Sequence, residues 1–137
     1  MRILLVEDDP MNIELFVAAL EGEHEVVVER DGQAGEARAL AERFDLILLD
    51  VQLPKRSGID VCRNLRAAGV LTPIIAVSAS VLPSEVARTQ EAGFAQFWSK
   101  PIMPAALRAA VQAVFHPSSH PASHATGRTP PGGVVRS

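Results

Sequence analysis

A chain of 137 residues, 47% hydrophobic and 21% charged, has the balance of a globular domain with one core of useful size. Its net charge of −3 excludes the clustered basic surface that a nucleic-acid backbone requires, so no nucleic-acid partner is expected. A single cysteine, Cys62, excludes an internal disulfide and is compatible with a reducing cytoplasm.

The chain opens Met1-Arg2-Ile3-Leu4-Leu5-Val6 and turns acidic at Glu7. That apolar run is too short for a secretory signal, and no stretch approaches the ~20 apolar residues of a membrane span. A soluble cytoplasmic protein without membrane contact is expected. Ile3 to Val6 reads as a first strand. Asp9-Pro10 then reads as a helix start, with Asp9 as N-cap and proline at the first helical position. Ile13, Phe16, Val17 and Leu20 keep the spacing of one helical face, and Gly22 marks a stop. Val26 to Val28 is a second strand. Ala34, Ala37, Leu40 and Ala41 form a looser stripe of mostly small residues on a second helix. Leu46 to Leu49 and Ile74 to Val77 are further apolar runs, and Phe94 to Trp98 is a less pure fifth. Continuous runs of this kind suit parallel strands covered on both faces. Gly69 and Gly93 mark helix ends, and Met103-Pro104 starts a last helix with Leu107, Ala110, Val111 and Val114 on one face.

The pattern is β-α repeated five times. It predicts an α/β fold, a five-stranded parallel doubly wound sheet with five helices on its two faces. Ligands in such sheets bind outside the carboxyl ends of the strands. The domain is expected to occupy residues 1–115. From His116 to Ser137 the chain is rich in Pro, Gly, Ser and His, holds no acidic residue and lacks apolar periodicity, so a disordered tail is expected. Setting aside the tail's Arg128 and Arg136 takes the net charge from −3 to −5 on residues 1–115. His116, His120 and His124 have a metal-binding helical spacing, but Pro117 and Pro121 break that helix.

The strand ends concentrate polar groups. The first ends in Glu7-Asp8-Asp9, the third in Asp50, the fourth in Ser78 and the fifth in Ser99-Lys100-Pro101. A carboxylate after a strand is ordinarily a cap or a solvated turn residue; convergence from distant sequence positions is what points to chemistry. Carboxylates ~5 Å apart repel by about 3 kcal/mol per pair at an effective dielectric near 20. Glu7, Asp8 and Asp50 gathered together therefore call for a hard divalent cation such as Mg²⁺. Lys100 adds a point positive charge and Ser78 a hydroxyl donor. A carboxylate nucleophile, a divalent metal site, a fixed cation and a hydroxyl suffice for phosphoryl transfer to a carboxylate. Cys62 and Trp98 read as packing residues. Lys55 and Arg56 fit a solvated loop or a partner contact equally.

The segments ILLVEDDPMN at 3–12, DLILLDVQLPKRSGIDV at 45–61, TPIIAVSA at 72–79 and FWSKPI at 97–102 resemble, in order and spacing, the receiver domain of two-component response regulators. The resemblance covers residues 2–115 and implies the flavodoxin-like receiver fold. Asp50 matches the phosphoacceptor. Glu7 and Asp8 match the acidic pair, with Asp8 as the direct metal ligand and Glu7 acting through water. The Gln52 backbone carbonyl matches the third protein ligand of Mg²⁺ (or Mn²⁺). Ser78 and Lys100 match the hydroxyl and lysine positions, Lys100-Pro101 a cis peptide, and Phe97 the aromatic switch. The implied function is a phosphorylation-dependent switch rather than an enzyme acting on external substrates. The implied partners are a histidine kinase or histidine phosphotransfer protein, and a target read by the fourth helix, fifth strand and fifth helix. Single-domain receivers of the chemotaxis and cell-division type look most similar. A phosphorelay intermediate, a phosphate sink and a receiver module of a hybrid histidine kinase remain open. An aspartyl-nucleophile phosphatase ordinarily has a second Asp two residues after the first, where this chain has Gln52. A flavodoxin-like cofactor binder needs a phosphate-cradling loop, where this chain has three acids.

Overall fold

The computed structural model describes residues 1–115 and 135–136. The elements are β1 (Arg2–Val6), α1 (Pro10–Leu20), β2 (Glu25–Glu29), α2 (Gly32–Ala41), β3 (Leu46–Asp50), α3 (Gly58–Ala67), β4 (Ile74–Ser78), α4 (Pro83–Ala92), β5 (Gln96–Ser99), α5 (Pro104–Phe115) and β6 (Val135–Arg136). The strands line up in the order β2-β1-β3-β4-β5-β6. The first five are parallel, as expected, and the two-residue β6 joins β5 antiparallel. Apart from residues 135 and 136, the segment read as a disordered tail lies outside the described residues, and so do His116, His120 and His124.

Alternation along the strands divides the core into two layers. Leu4, Val6, Ile47, Leu49, Ile74, Ala76 and Phe97 face α2, α3 and α4. Ile3, Leu5, Leu46, Leu48, Ile75, Val77 and Trp98 face α1 and α5. Both faces of β3 and β4 are buried, which is why their sequences are apolar up to the last residue, Asp50 and Ser78. Each such Leu or Ile contributes about 1.5–3 kcal/mol by leaving water.

The helix starts follow local chemistry. Asp9 caps α1 by accepting from the Met11 N–H at 2.9 Å, with Pro10 as the first helical residue. Gly93 closes α4 in the left-handed conformation (φ 106°), and Gly69 follows α3 likewise (φ 89°). Gly22 also falls where its helix stops: α1 ends at Leu20 with Glu21 as a right-handed cap, and Gly22 follows in the turn without a positive φ.

Two expectations need correction. In α2 the buried positions are Gly32, Gly35 and Ala39, whereas Ala37, Leu40 and Ala41 are exposed. The helix lies so close to the sheet that a Cβ on Gly35 would come within 2.7 Å of the Val6 methyls. Absence of a side chain, not apolarity, marks the inner face there. In the fifth strand pairing begins at Gln96 rather than Phe94, because the Phe94 N–H still bonds the Thr89 carbonyl at the end of α4.

Candidate functional site at the carboxyl edge of the sheet

β1, β3, β4 and β5 deliver Glu7, Asp50, Ser78 and Lys100 to one edge. β1 pairs with β3, so Glu7 and Asp8, just past Val6, lie beside Asp50. The Lys100 ammonium donates to Glu7 Oε1 at 2.7 Å and to Asp50 Oδ2 at 3.1 Å. The other Asp50 oxygen, Oδ1, accepts the Gln52 N–H at 3.0 Å. The other Glu7 oxygen accepts the Asp9 N–H at 3.1 Å. Glu7 is 1% exposed and Asp50 7%, whereas Asp8 stands in solvent. The Lys100-Pro101 peptide is cis, as the resemblance implied.

Burial pushes the Asp50 carboxyl up to about 6, and the nearby Glu7 charge pushes the same way; the Gln52 N–H and Lys100 oppose them. Burial pulls the Lys100 ammonium down, but its hydrogen bond to Glu7 and the Asp50 charge outweigh this and hold it above its ordinary value.

One consequence is a stability that falls as pH rises. The folded state holds the Asp50 proton more tightly than the unfolded chain, so stability drops from the ordinary aspartate range up to about pH 6 and then levels. The upper bound is roughly 3 kcal/mol, two pKa units at 1.36 kcal/mol each. Asp50→Asn removes the buried charge and is expected to raise the urea midpoint at pH 7.5 and to flatten this part of the pH profile. A variant less stable than wild type at pH 7.5 would contradict it.

One oxygen from each of Glu7, Asp8 and Asp50 lies within 4.8 Å of the others. Three carboxylate oxygens, one set in solvent, fit a hard divalent cation that keeps several waters. Gln52 joins Asp8, Val51, Leu53 and Glu85 around an open cavity of about 540 Å³ beside them, where a phosphoryl group has room.

The family model for the response regulator receiver domain matches residues 3–112. The chain belongs to the response regulator receiver domain family. It is 37% identical over 113 residues to the response regulator protein PmrA of Pseudomonas aeruginosa, covering 82% of this chain and 51% of that protein. It is 39% identical over 106 residues to the two-component response regulator ORR41 of Oryza sativa subsp. japonica, covering 74% of this chain and 84% of that one. The beryllofluoride-activated receiver domain of DrrB from Thermotoga maritima superposes with a TM-score of 0.76 at 26% identity, over 84% of this chain and 97% of that one. This receiver thus spans about half the length of PmrA.

Of the expected site residues, Lys100 bonds Glu7 and Asp50, and Asp8 brings an oxygen within 4.8 Å of theirs. Ser78 reaches the same edge but its hydroxyl points to α4, donating to Glu85 Oε1 at 3.0 Å and accepting the Ser80 N–H at 3.1 Å. Phe97 is buried in the α2–α4 layer. Glu85 was not singled out from sequence; an acid in the first turn of α4, seven residues past Ser78, was the available signal.

Cys62 and Trp98 pack as expected, whereas Lys55 and Arg56 are ion-paired within the chain. Cys62 is buried and donates to the Ala92 carbonyl, and burial pushes its thiol up to about 11. The Trp98 ring is buried against α1 and α5. Lys55 and Arg56 reach back to Asp31 and Glu36 of the α2 region at 3.8 and 3.1 Å, tying the loop after β3 to α2. Among the described residues, no helix is long and apolar enough to cross a membrane.

Proposed function

We propose that this receiver takes a phosphoryl group on Asp50 from a phosphohistidine of a kinase or phosphotransfer protein and signals by protein–protein contact. The observation that supports it most is the junction of Glu7, Asp8, Asp50 and Lys100 from separate strands at one edge. An Asp50 oxygen forms the bond to phosphorus while the P–N bond breaks, its electron pair leaving on the donor imidazole. Lys100 supplies positive charge beside the accepting carboxylate and, after transfer, to a phosphoryl oxygen. Glu7, Asp8, Asp50 and the Gln52 carbonyl would hold Mg²⁺, which when bound neutralises phosphoryl and carboxylate charge. Ser78 ends β4 at the same edge, and Phe97 belongs to the adjoining strand β5, opposite Ala76. A shift of these two would alter the α4–β5–α5 surface that a target reads.

Incubation with Mg²⁺ and acetyl phosphate, followed by intact mass, tests this reading. Wild type is expected to gain one phosphoryl group. Asp50→Asn and a metal-free control are expected to gain none. An unchanged wild-type mass under rapid quench, or equal gain by the variant, would remove Asp50 from this role.

A further inference from the structure

In the receiver without a phosphoryl group, the Ser78 hydroxyl bonds to Glu85 and Ser80 rather than to Asp50. Its proton goes to Glu85 Oε1 at 3.0 Å, and its oxygen accepts the Ser80 N–H at 3.1 Å. Ser78 as a whole is 1% exposed, so bulk water is largely kept from it. A hydroxyl has one proton to give. Ser78 cannot donate to a phosphoryl oxygen while it donates to Glu85. Glu85 also lines the cavity that Asp8, Gln52 and Arg88 share beside the site. Its carboxylate adds negative charge to a wall where Arg88 adds positive charge, so its larger effect on an incoming dianion is through the hydroxyl it holds. Glu85 sits in the first turn of α4, whose N-cap, Leu82, offers no side-chain cap.

We infer that Glu85 is a positioning residue that latches Ser78 in the resting state, and that the arriving phosphoryl group opens this latch and so moves the first turn of α4. The inference rests on the reading of Asp50 as phosphoacceptor. It deepens that reading by naming the element through which charge at Asp50 reaches α4. One hydrogen bond is exchanged for another: the Ser78 proton passes from a carboxylate oxygen of Glu85 to a phosphoryl oxygen, and Glu85 turns to solvent. Breaking a hydrogen bond to a charged acceptor opposes activation, so the latch lowers affinity for any phosphoryl mimic.

The test is titration of the full chain with beryllofluoride in Mg²⁺, followed by amide spectra of residues 83–92. Glu85→Ala is expected to bind the mimic about ten-fold tighter than wild type. Glu85→Gln keeps an acceptor without the charge and should fall between them. In a Ser78→Ala background the gain from Glu85→Ala should shrink to about two-fold, the residue of charge repulsion. A role limited to stabilising α4 would shift the urea midpoint but would leave the gain undiminished by Ser78→Ala. Unchanged affinity in Glu85→Ala, or a full gain in the Ser78→Ala background, overturns the latch. If wild type binds no beryllofluoride, or binds it equally with Asp50→Asn, the phosphoacceptor reading fails and the latch with it. Binding by wild type but not by Asp50→Asn keeps that reading, and the Glu85 variants then decide the latch alone.

Discussion

Lys100→Met is expected to destabilise the receiver by about 3–5 kcal/mol at pH 8, the cost of leaving buried charges without their counterion. Lys100 is the cation shared by Glu7 and Asp50, at 2.7 and 3.1 Å, and both carboxylates are nearly inaccessible to water. Methionine keeps the length and apolar body of the side chain, so packing around it changes little. The loss should be pH-dependent. Asp50 is already pushed up to about 6 with the lysine in place, and removing the lysine raises it further. A raised carboxyl carries its proton in the folded state at low pH, so the penalty is small at pH 5 and develops as pH rises through the folded pKa. Mg²⁺ should recover part of the loss at pH 8, because a divalent ion among Glu7, Asp8 and Asp50 replaces the missing charge. Urea denaturation at pH 5 and pH 8, with Mg²⁺ and with chelator, measures all three effects. A loss below about 1 kcal/mol at both pH values would mean that the ion pair does not hold the site together.

The same lysine shows how far a sequence reaches. Apolar runs located β1, β3 and β4 to within a residue, because strands covered on both faces stay apolar up to the carboxyl end, where Asp50 and Ser78 stand. The rule that ligands gather at carboxyl ends then placed Glu7, Asp8, Asp50 and Lys100 together before any distance was known. The helix α2 was legible but its inner face was not, because that face is Gly32, Gly35 and Ala39, and a pattern search rewards side chains rather than their absence. The direction of the Ser78 hydroxyl escaped for a different reason. Its partner, Glu85, lies on the following helix, and a rotatable O–H takes whichever acceptor tertiary packing brings within 3 Å. Residue type and strand position define the members of a site; the resting hydrogen bonds among them depend on how neighbouring helices settle.

A glycine outside the chemistry carries the second large expected effect. Gly58 begins α3, and its N–H donates to the Val51 carbonyl at 2.9 Å. A Cβ built there would lie 2.1 Å from the Asp50 carbonyl oxygen and 2.9 Å from the Val51 Cα. Both neighbours are backbone, so no side-chain rotation can relieve the contact. Either α3 lifts from the sheet or the end of β3 moves. Lifting α3 would expose Ile59, Val61 and Cys62, which are now buried under it. Moving β3 would carry Asp50 away from Lys100. Gly58→Ala is therefore expected to cost about 3 kcal/mol, at the upper end for an overpacked site. Because displacement of a reacting group by about 1 Å costs roughly 10²-fold in rate, phosphoryl uptake from acetyl phosphate should slow by a similar factor. Gly22→Ala is the matching control, since a Cβ there meets nothing within 4 Å, and it should stay within about 0.5 kcal/mol of wild type. Urea midpoints and the time course of intact mass report the two consequences separately. Loss of stability with normal uptake would mean that α3 yields and β3 holds, which would separate the scaffold from the site. Loss of both would show that the end of β3 yields, so that the absence of one methyl group in α3 keeps Asp50 within reach of its lysine.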